Sequence, residues 1–159
     1  WRCGWFESEI CCCECSHICL LKGRALMNSI PESHLDLFDM PTVWHVATIG
    51  PDGEPHVSPV WADFDGTHVR FPHKSGRQKW KNLESDARVS LSATDPENPE
   101  RYLEIRGRLV GWESEGALDF LDSMARKYRN EEQFPREHAA PIEDRITGVI
   151  KPDRYTSMG

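Results

Sequence analysis

Beyond Cys19 the chain has no cysteine. A disulfide framework, a cysteine-ligated metal and a thiol nucleophile are therefore excluded from residues 20–159. A surplus of positive charge is lacking too: 19 Lys and Arg stand against 26 Asp and Glu, a net charge of −7. That excludes a nucleic-acid binder relying on a generally basic surface. No run approaches the roughly 20 apolar residues of a membrane span. The dinucleotide fingerprint G-x-G-x-x-G, the P-loop, the G-x-S-x-G elbow and the zinc motif H-E-x-x-H are all missing. Six histidines follow Met27, at 34, 45, 56, 68, 73 and 138. His68 and His73 can meet, but no carboxylate or cysteine stands at ligand spacing beside them, so no zinc site is expected.

What is present describes an ordinary globule. The 159 residues suit one domain, and 38% hydrophobic with 28% charged residues is too apolar for a disordered chain. A chain of this size buries a core without disulfides or a structural metal. All six cysteines (3, 11, 12, 13, 15 and 19) crowd the first 19 positions. The thiolates and His17 invite a soft-metal reading, but C-C-C-E-C is tighter than the usual C-x2-4-C pair and no second pair follows. Residues 1–26 hold three basic and three acidic residues and show no clear periodicity. The apolar run Ile18–Leu21 is too short for a leader, and its basic residues follow it instead of preceding it. The expectation is a cysteine-rich extension over 1–26, outside a domain of 27–159 in a cytoplasmic protein.

Along the domain, Ser33 is positioned to cap a short helix through Leu35 and Phe38, ended by Pro41. Runs 43–49, 56–64 and 68–72 are rich in β-branched and aromatic residues and are separated by D-G turns, which predicts an antiparallel meander. A helical pattern covers 75–86, starting at Ser75 or Gly76. Residues 87–94 alternate Val89, Leu91 and Ala93 against polar neighbours, a half-buried strand. A strand over 102–112 carries Gly107 at a bulge or close approach. Ser114 is placed to cap a helix over 113–128, a polar loop follows over 129–144, and 145–152 is the last strand. About six strands with short turns predict a mainly β fold: a small antiparallel barrel with helices at its edge.

The segment H-K-S-G-R-Q-K-W-K-N (73–82) places Lys74, Arg77, Lys79 and Lys81 around a helix start in an acidic chain. Free N–H groups and the positive dipole end favour an anion there, and basic side chains at that end are otherwise unfavourable. The pattern fits a phosphate site; a solvated helix face fits it as well.

The series P-D-G-E-P-H-V-S-P-V-W-A-D-F-D-G, then S-G-R-Q-K-W-K-N-L-E-S-D-A-R-V-S-L, Gly107, Lys127-Tyr128, Arg145, Ile150 and Pro152 resembles the pyridoxamine 5′-phosphate oxidase-like split-barrel superfamily. Within it the pattern is most similar to the deazaflavin (coenzyme F-420)-dependent oxidoreductases. The likeness spans about 30–159. It implies a six-stranded antiparallel Greek-key split barrel and a homodimer with the cofactor in a groove at the interface. It further implies that Arg77 and Lys79 hold the cofactor phosphate, supported by Lys74, Lys81 and Asn82. His56, Ser58, Pro59 and Val60 would line the ring, and Pro72 and His73 would close the site. The implied activity is hydride transfer from the deazaflavin to a small organic acceptor, with His56, His73 and Tyr155 as candidate proton donors. FMN is the alternative cofactor, and a non-catalytic cofactor-binding protein on the same barrel is the alternative of another class. Pro59 lacks an N–H, so its strand is expected to run along an edge or to bulge.

Overall fold

The computed structural model describes residues 30–159, so the cysteine-rich stretch expected over 1–26 lies outside the described residues. Among these, one antiparallel sheet of seven strands forms: β1 (Trp44–Ile49), β2 (Pro55–Val60), β3 (Asp63–Phe64), β4 (Val69–Lys74), β5 (Arg88–Thr94), β6 (Tyr102–Glu113) and β7 (Arg145–Met158). The helices are α1 (Asp36–Asp39), α2 (Gln78–Ser85), α3 (Ala117–Arg129) and α4 (Arg136–Ala139).

The strand order β2-β1-β5-β6-β7-β4-β3 puts β2 at one edge and β3 at the other. Laid flat, seven strands are about 29 Å wide at the usual spacing. Yet Val60 ends β2 and Asp63 begins β3, three residues on, a reach of only about 11 Å. The sheet must curl until its two edges meet at Trp61–Ala62, which makes a split barrel. The extra strand arises here: the run 56–64 breaks at Trp61, and the two-residue β3 pairs with β4 instead of with β2. The expected six strands become seven, and the meander is interrupted at the same point. Pro59 lies on the edge strand, opposite His45.

The period-2 pattern decides what fills the curl. Val46, Leu91 and Ile105 lie opposite one another across β1, β5 and β6 and are all fully buried. Phe38 of α1 stacks on Trp44 with ring centres 4.3 Å apart, closing one end of the core. At Gly107 the register of β6 against β7 shifts, and a Cβ there would come within 2.2 Å of the Lys151 carbonyl oxygen. Only glycine lets the two backbones approach so closely.

Several boundaries differ from the sequence expectation. Ser33 lies within a 3₁₀ turn (Glu32–His34), where its hydroxyl contacts His34 Nδ1, and it caps no helix. Helix α3 begins three residues after Ser114, with Gly116 at φ 69° as its cap. Helix α2 begins at Gln78, three residues after Ser75 and two after Gly76, with Arg77 in the extended cap position. The loop over 129–144 contains α4 and a further 3₁₀ turn, and β7 runs six residues past Pro152.

Candidate functional site

A groove of about 710 Å³ opens where β2, β4, the start of α2 and the start of β7 converge. It gathers nine of the residues expected at the site: His56, Ser58, Pro59 and Val60 from β2, Pro72, His73 and Lys74 from β4, and Arg77 and Lys79 from the helix start. Lys81 and Asn82 are not brought to it. Lys81 is exposed, whereas Asn82 is buried: it accepts from Gln78 Nε2 (2.7 Å) and donates to Thr48 Oγ1 (3.0 Å). Asn82 pins α2 to β1 and so fixes where Lys79 points.

The first turn of α2 has no acidic residue and no side-chain cap, so its early N–H groups are left open, as an anion site needs. Lys79 is 6% exposed and has neither a carboxylate nor a hydrogen-bond partner among the described residues. Its ammonium lies 5.8 Å from the ring centre of Phe71. Burial, and then the Arg77 charge, pull Lys79 down to about 8. A largely buried charge with no carboxylate beside it is unfavourable, so this one is held at some cost to stability.

His73 packs against Phe71 and Trp112, 6.0 and 5.9 Å away between ring centres, and those two rings also meet at 5.8 Å. Burial, then Lys79, Arg77 and Arg145, push its imidazole down to about 3. At neutral pH it is therefore uncharged and offers a hydrogen bond, not an acidic proton. Its Nε2 and the hydroxyl of Ser58 are buried polar atoms without a partner among the described residues, both on residues that line the groove. His56 lies on the open edge of β2, exposed at the groove. Tyr155 is placed elsewhere: it pairs with Ile105 in β7 and packs against the core, and it does not line the groove.

Sequence reasoning missed the groove's other wall. Trp61 stacks on Tyr128 at 5.2 Å and meets Phe134 edge-on at 5.9 Å, and both Trp61 and Phe134 line the groove. Arg145 lines it too, its guanidinium 5.6 Å over the Phe134 ring. The pairing of Lys74 with Arg145 across β4 and β7 brings Arg145 there, a long-range register that no local pattern announces.

Residues 30–158 match the protein family described as pyridoxamine 5′-phosphate oxidase. The chain belongs to this family. Among solved structures, an F420 reductase is 33% identical, with a TM-score of 0.72 over 80% of this chain and 98% of that one. A conserved hypothetical protein from Mycobacterium tuberculosis is 25% identical, with a TM-score of 0.64 over 83% of this chain and 87% of that one. HupZ from Group A Streptococcus shares the fold at 18% identity, with a TM-score of 0.58 over 80% of this chain and 93% of that one. No curated protein sequence matches. The pyridoxamine 5′-phosphate oxidase family match agrees with the split barrel and with a groove suited to a flavin-type cofactor. No helix among the described residues is long and apolar enough to cross a membrane. No cluster of His, Cys, Asp and Glu among them is arranged to hold a metal ion.

Proposed function

We propose that the protein is an oxidoreductase that binds a deazaflavin, coenzyme F-420, in the groove and directs its hydride to a small organic acceptor. The observation that carries the reading is Lys79, a buried ammonium without a carboxylate at the open end of α2, which asks for an anion. The orphaned Ser58 hydroxyl and His73 Nε2 ask for hydrogen-bonding groups on the same ligand. The 33% identical F420 reductase favours the deazaflavin among flavin-type cofactors.

In this reading Arg77 and Lys79 hold the phosphate, each through a charge-assisted contact worth about 1.5–3 kcal/mol. Lys74 is occupied by the Ala140 carbonyl (2.8 Å) and Asp144 (3.8 Å), so it adds field more than contact. Ser58, Pro59 and Val60 line the ring, and Trp61 with Phe134 keeps water from the acceptor side. When bound there, F-420 in its reduced form would supply hydride chemistry suited to an electron-poor double bond. His73 is a neutral hydrogen-bonding partner there, which leaves His56 or solvent to deliver the proton the acceptor needs. The protein's contribution is binding, orientation and exclusion of water.

A homodimer belongs to the same proposal. Strand β2 is an exposed edge with Val57 59% accessible, and a second copy against it would cover the open side of the groove. Residues 1–26 are proposed to lie outside this unit.

FMN is the second reading, favoured by the pyridoxamine 5′-phosphate oxidase description of the matched family. Titrating the purified protein with each cofactor and following absorption separates the two, because their chromophores differ. Tight binding of F-420 and its oxidation on adding an acceptor is the expected result. Binding of FMN alone overturns the deazaflavin assignment, and binding without turnover leaves a carrier instead of an enzyme.

A further inference from the structure

We propose that Arg145 is a third ligand of the cofactor's anionic end, so that the groove selects a cofactor carrying more than one negative charge there. The inference rests on the cofactor-binding reading above and extends it to a residue from the opposite end of the chain.

Three observations meet at this side chain. It lines the groove with Arg77 and Lys79, and no carboxylate lies within 4 Å of any of the three among the described residues. The three cations also act on one another: Arg77 disfavours the charged forms of both Lys79 and Arg145, and all three disfavour a charge on His73. Finally, the guanidinium is fixed. Its Nε donates to the Ala139 carbonyl (2.7 Å), one terminal nitrogen donates to the His138 carbonyl, and its face rests on Phe134. The other terminal nitrogen has no partner among the described residues. A planar fork held on one side and free on the other is pre-organised to take an anion at little entropic cost.

The charge count sets the specificity. One phosphodiester charge would leave two of the three cations unanswered in a partly desolvated groove. A terminal phosphate monoester, or a phosphodiester with a carboxylate within reach, comes closer to balance. Asp144 offsets part of the field at Arg145, and it is already engaged with Lys74.

The test uses the full chain, its Arg145→Gln and Lys79→Met variants, and four probes: F-420, FMN, and the phosphate-free ribityl chromophore of each. Dissociation constants are measured by fluorescence titration at several salt concentrations. Arg145→Gln is expected to weaken the phosphorylated cofactor about ten- to fiftyfold, to leave the phosphate-free form within about twofold, and to flatten the salt dependence. If Arg145→Gln binds the phosphorylated cofactor as the parent does while Lys79→Met does not, the inference falls and the cofactor site stands. If both forms weaken equally in Arg145→Gln, the residue acts only by holding the 138–140 backbone, and the inference falls. If neither variant changes affinity, the cofactor site itself is wrong. Should Arg145→Gln fail to fold, Arg145→Lys keeps the charge and loses the fork. It is expected to bind the phosphorylated cofactor severalfold more weakly with the salt dependence retained, and parent-like affinity in that variant overturns the inference.

Discussion

The hydroxyl of Tyr128 bonds both the amide and the carbonyl of Ala62, at 3.1 and 3.2 Å. Ala62 is fully buried at the joint between β2 and β3, where neither of its backbone groups is in the ladder. A helix side chain therefore does there what a neighbouring strand does elsewhere. Burial holds the phenol up at about 12, so it keeps its proton and goes on donating.

Tyr128→Phe takes away the partner of the Ala62 amide and leaves that buried N–H unsatisfied, while the carbonyl keeps Lys127 Nζ at 3.3 Å. The expected cost is about 1–3 kcal/mol, read as a lower urea midpoint at unchanged slope. A midpoint equal to the parent's would show that Ala62 finds other partners.

Lys79→Met exchanges an unpaired buried charge for an apolar chain of similar length. The variant is expected to melt about 3–6 °C higher, the shift that about 1 kcal/mol gives in a domain of this size. It is also expected to bind the cofactor ten- to a hundredfold more weakly. The sign with pH follows from the depressed value near 8. Between about 8 and 10.5 the unfolded chain holds the proton that the folded chain has released, so the parent's handicap is full below pH 8 and shrinks as pH rises through that window. Melting curves at pH 7 and pH 10 decide the matter, and a variant that melts lower at pH 7 contradicts the account.

Cofactor affinity carries the same titration with the opposite benefit. Only the protonated Lys79 attracts an anion, so the dissociation constant is expected to be flat with respect to Lys79 below pH 8. Above pH 8 it should rise by up to tenfold per unit. Titrations from pH 7 to 9.5 measure it. A profile flat across pH 8 means that Lys79 does not touch the anion.

His73 titrates at the acid end. Its folded value near 3 lies below the ordinary 6.5, so as pH falls through that interval the unfolded chain gains a proton that the folded chain refuses. His73→Gln is expected to lose less stability than the parent between pH 6.5 and 4.5. Parallel losses in the two proteins would place another group behind the acid sensitivity.

Local chemistry made much of this legible. Alternation at Val89, Leu91 and Ala93 identified a half-buried strand, and Gly107 marked a close approach before any partner strand was known. The basic cluster at 74–79 pointed to the groove because strand, turn and helix start are contiguous in sequence. What stayed hidden depends on distant pairings. Arg145 reaches the groove through its register with Lys74, 71 positions away, and Phe134 reaches it because Asp122 accepts its backbone amide. Asn82, expected to support the phosphate for its place in the motif, faces inward from α2 and donates to Thr48. The break at Trp61 was missed because W-A-D-F continues a strand composition, and only the closure of the sheet forces the turn.

That closure has a mechanical consequence. Between the two edges of the sheet stand only Trp61 and Ala62, and Trp61 is also a wall of the groove. The gap there is bridged by covalent bonds, not by hydrogen bonds that could part and reform. The groove therefore behaves as a caliper with a fixed jaw on this side. The segment bearing Phe134, Arg136 and Arg145 continues the same wall, Phe134 meeting Trp61 edge-on, and is tied back to α3 through the Arg136–Asp122 pair at 2.7 Å and to β4 through Lys74. Because Trp61 and Phe134 already meet edge-on at 5.9 Å, nothing passes between them, and this wall would stop a bulky acceptor without widening for it.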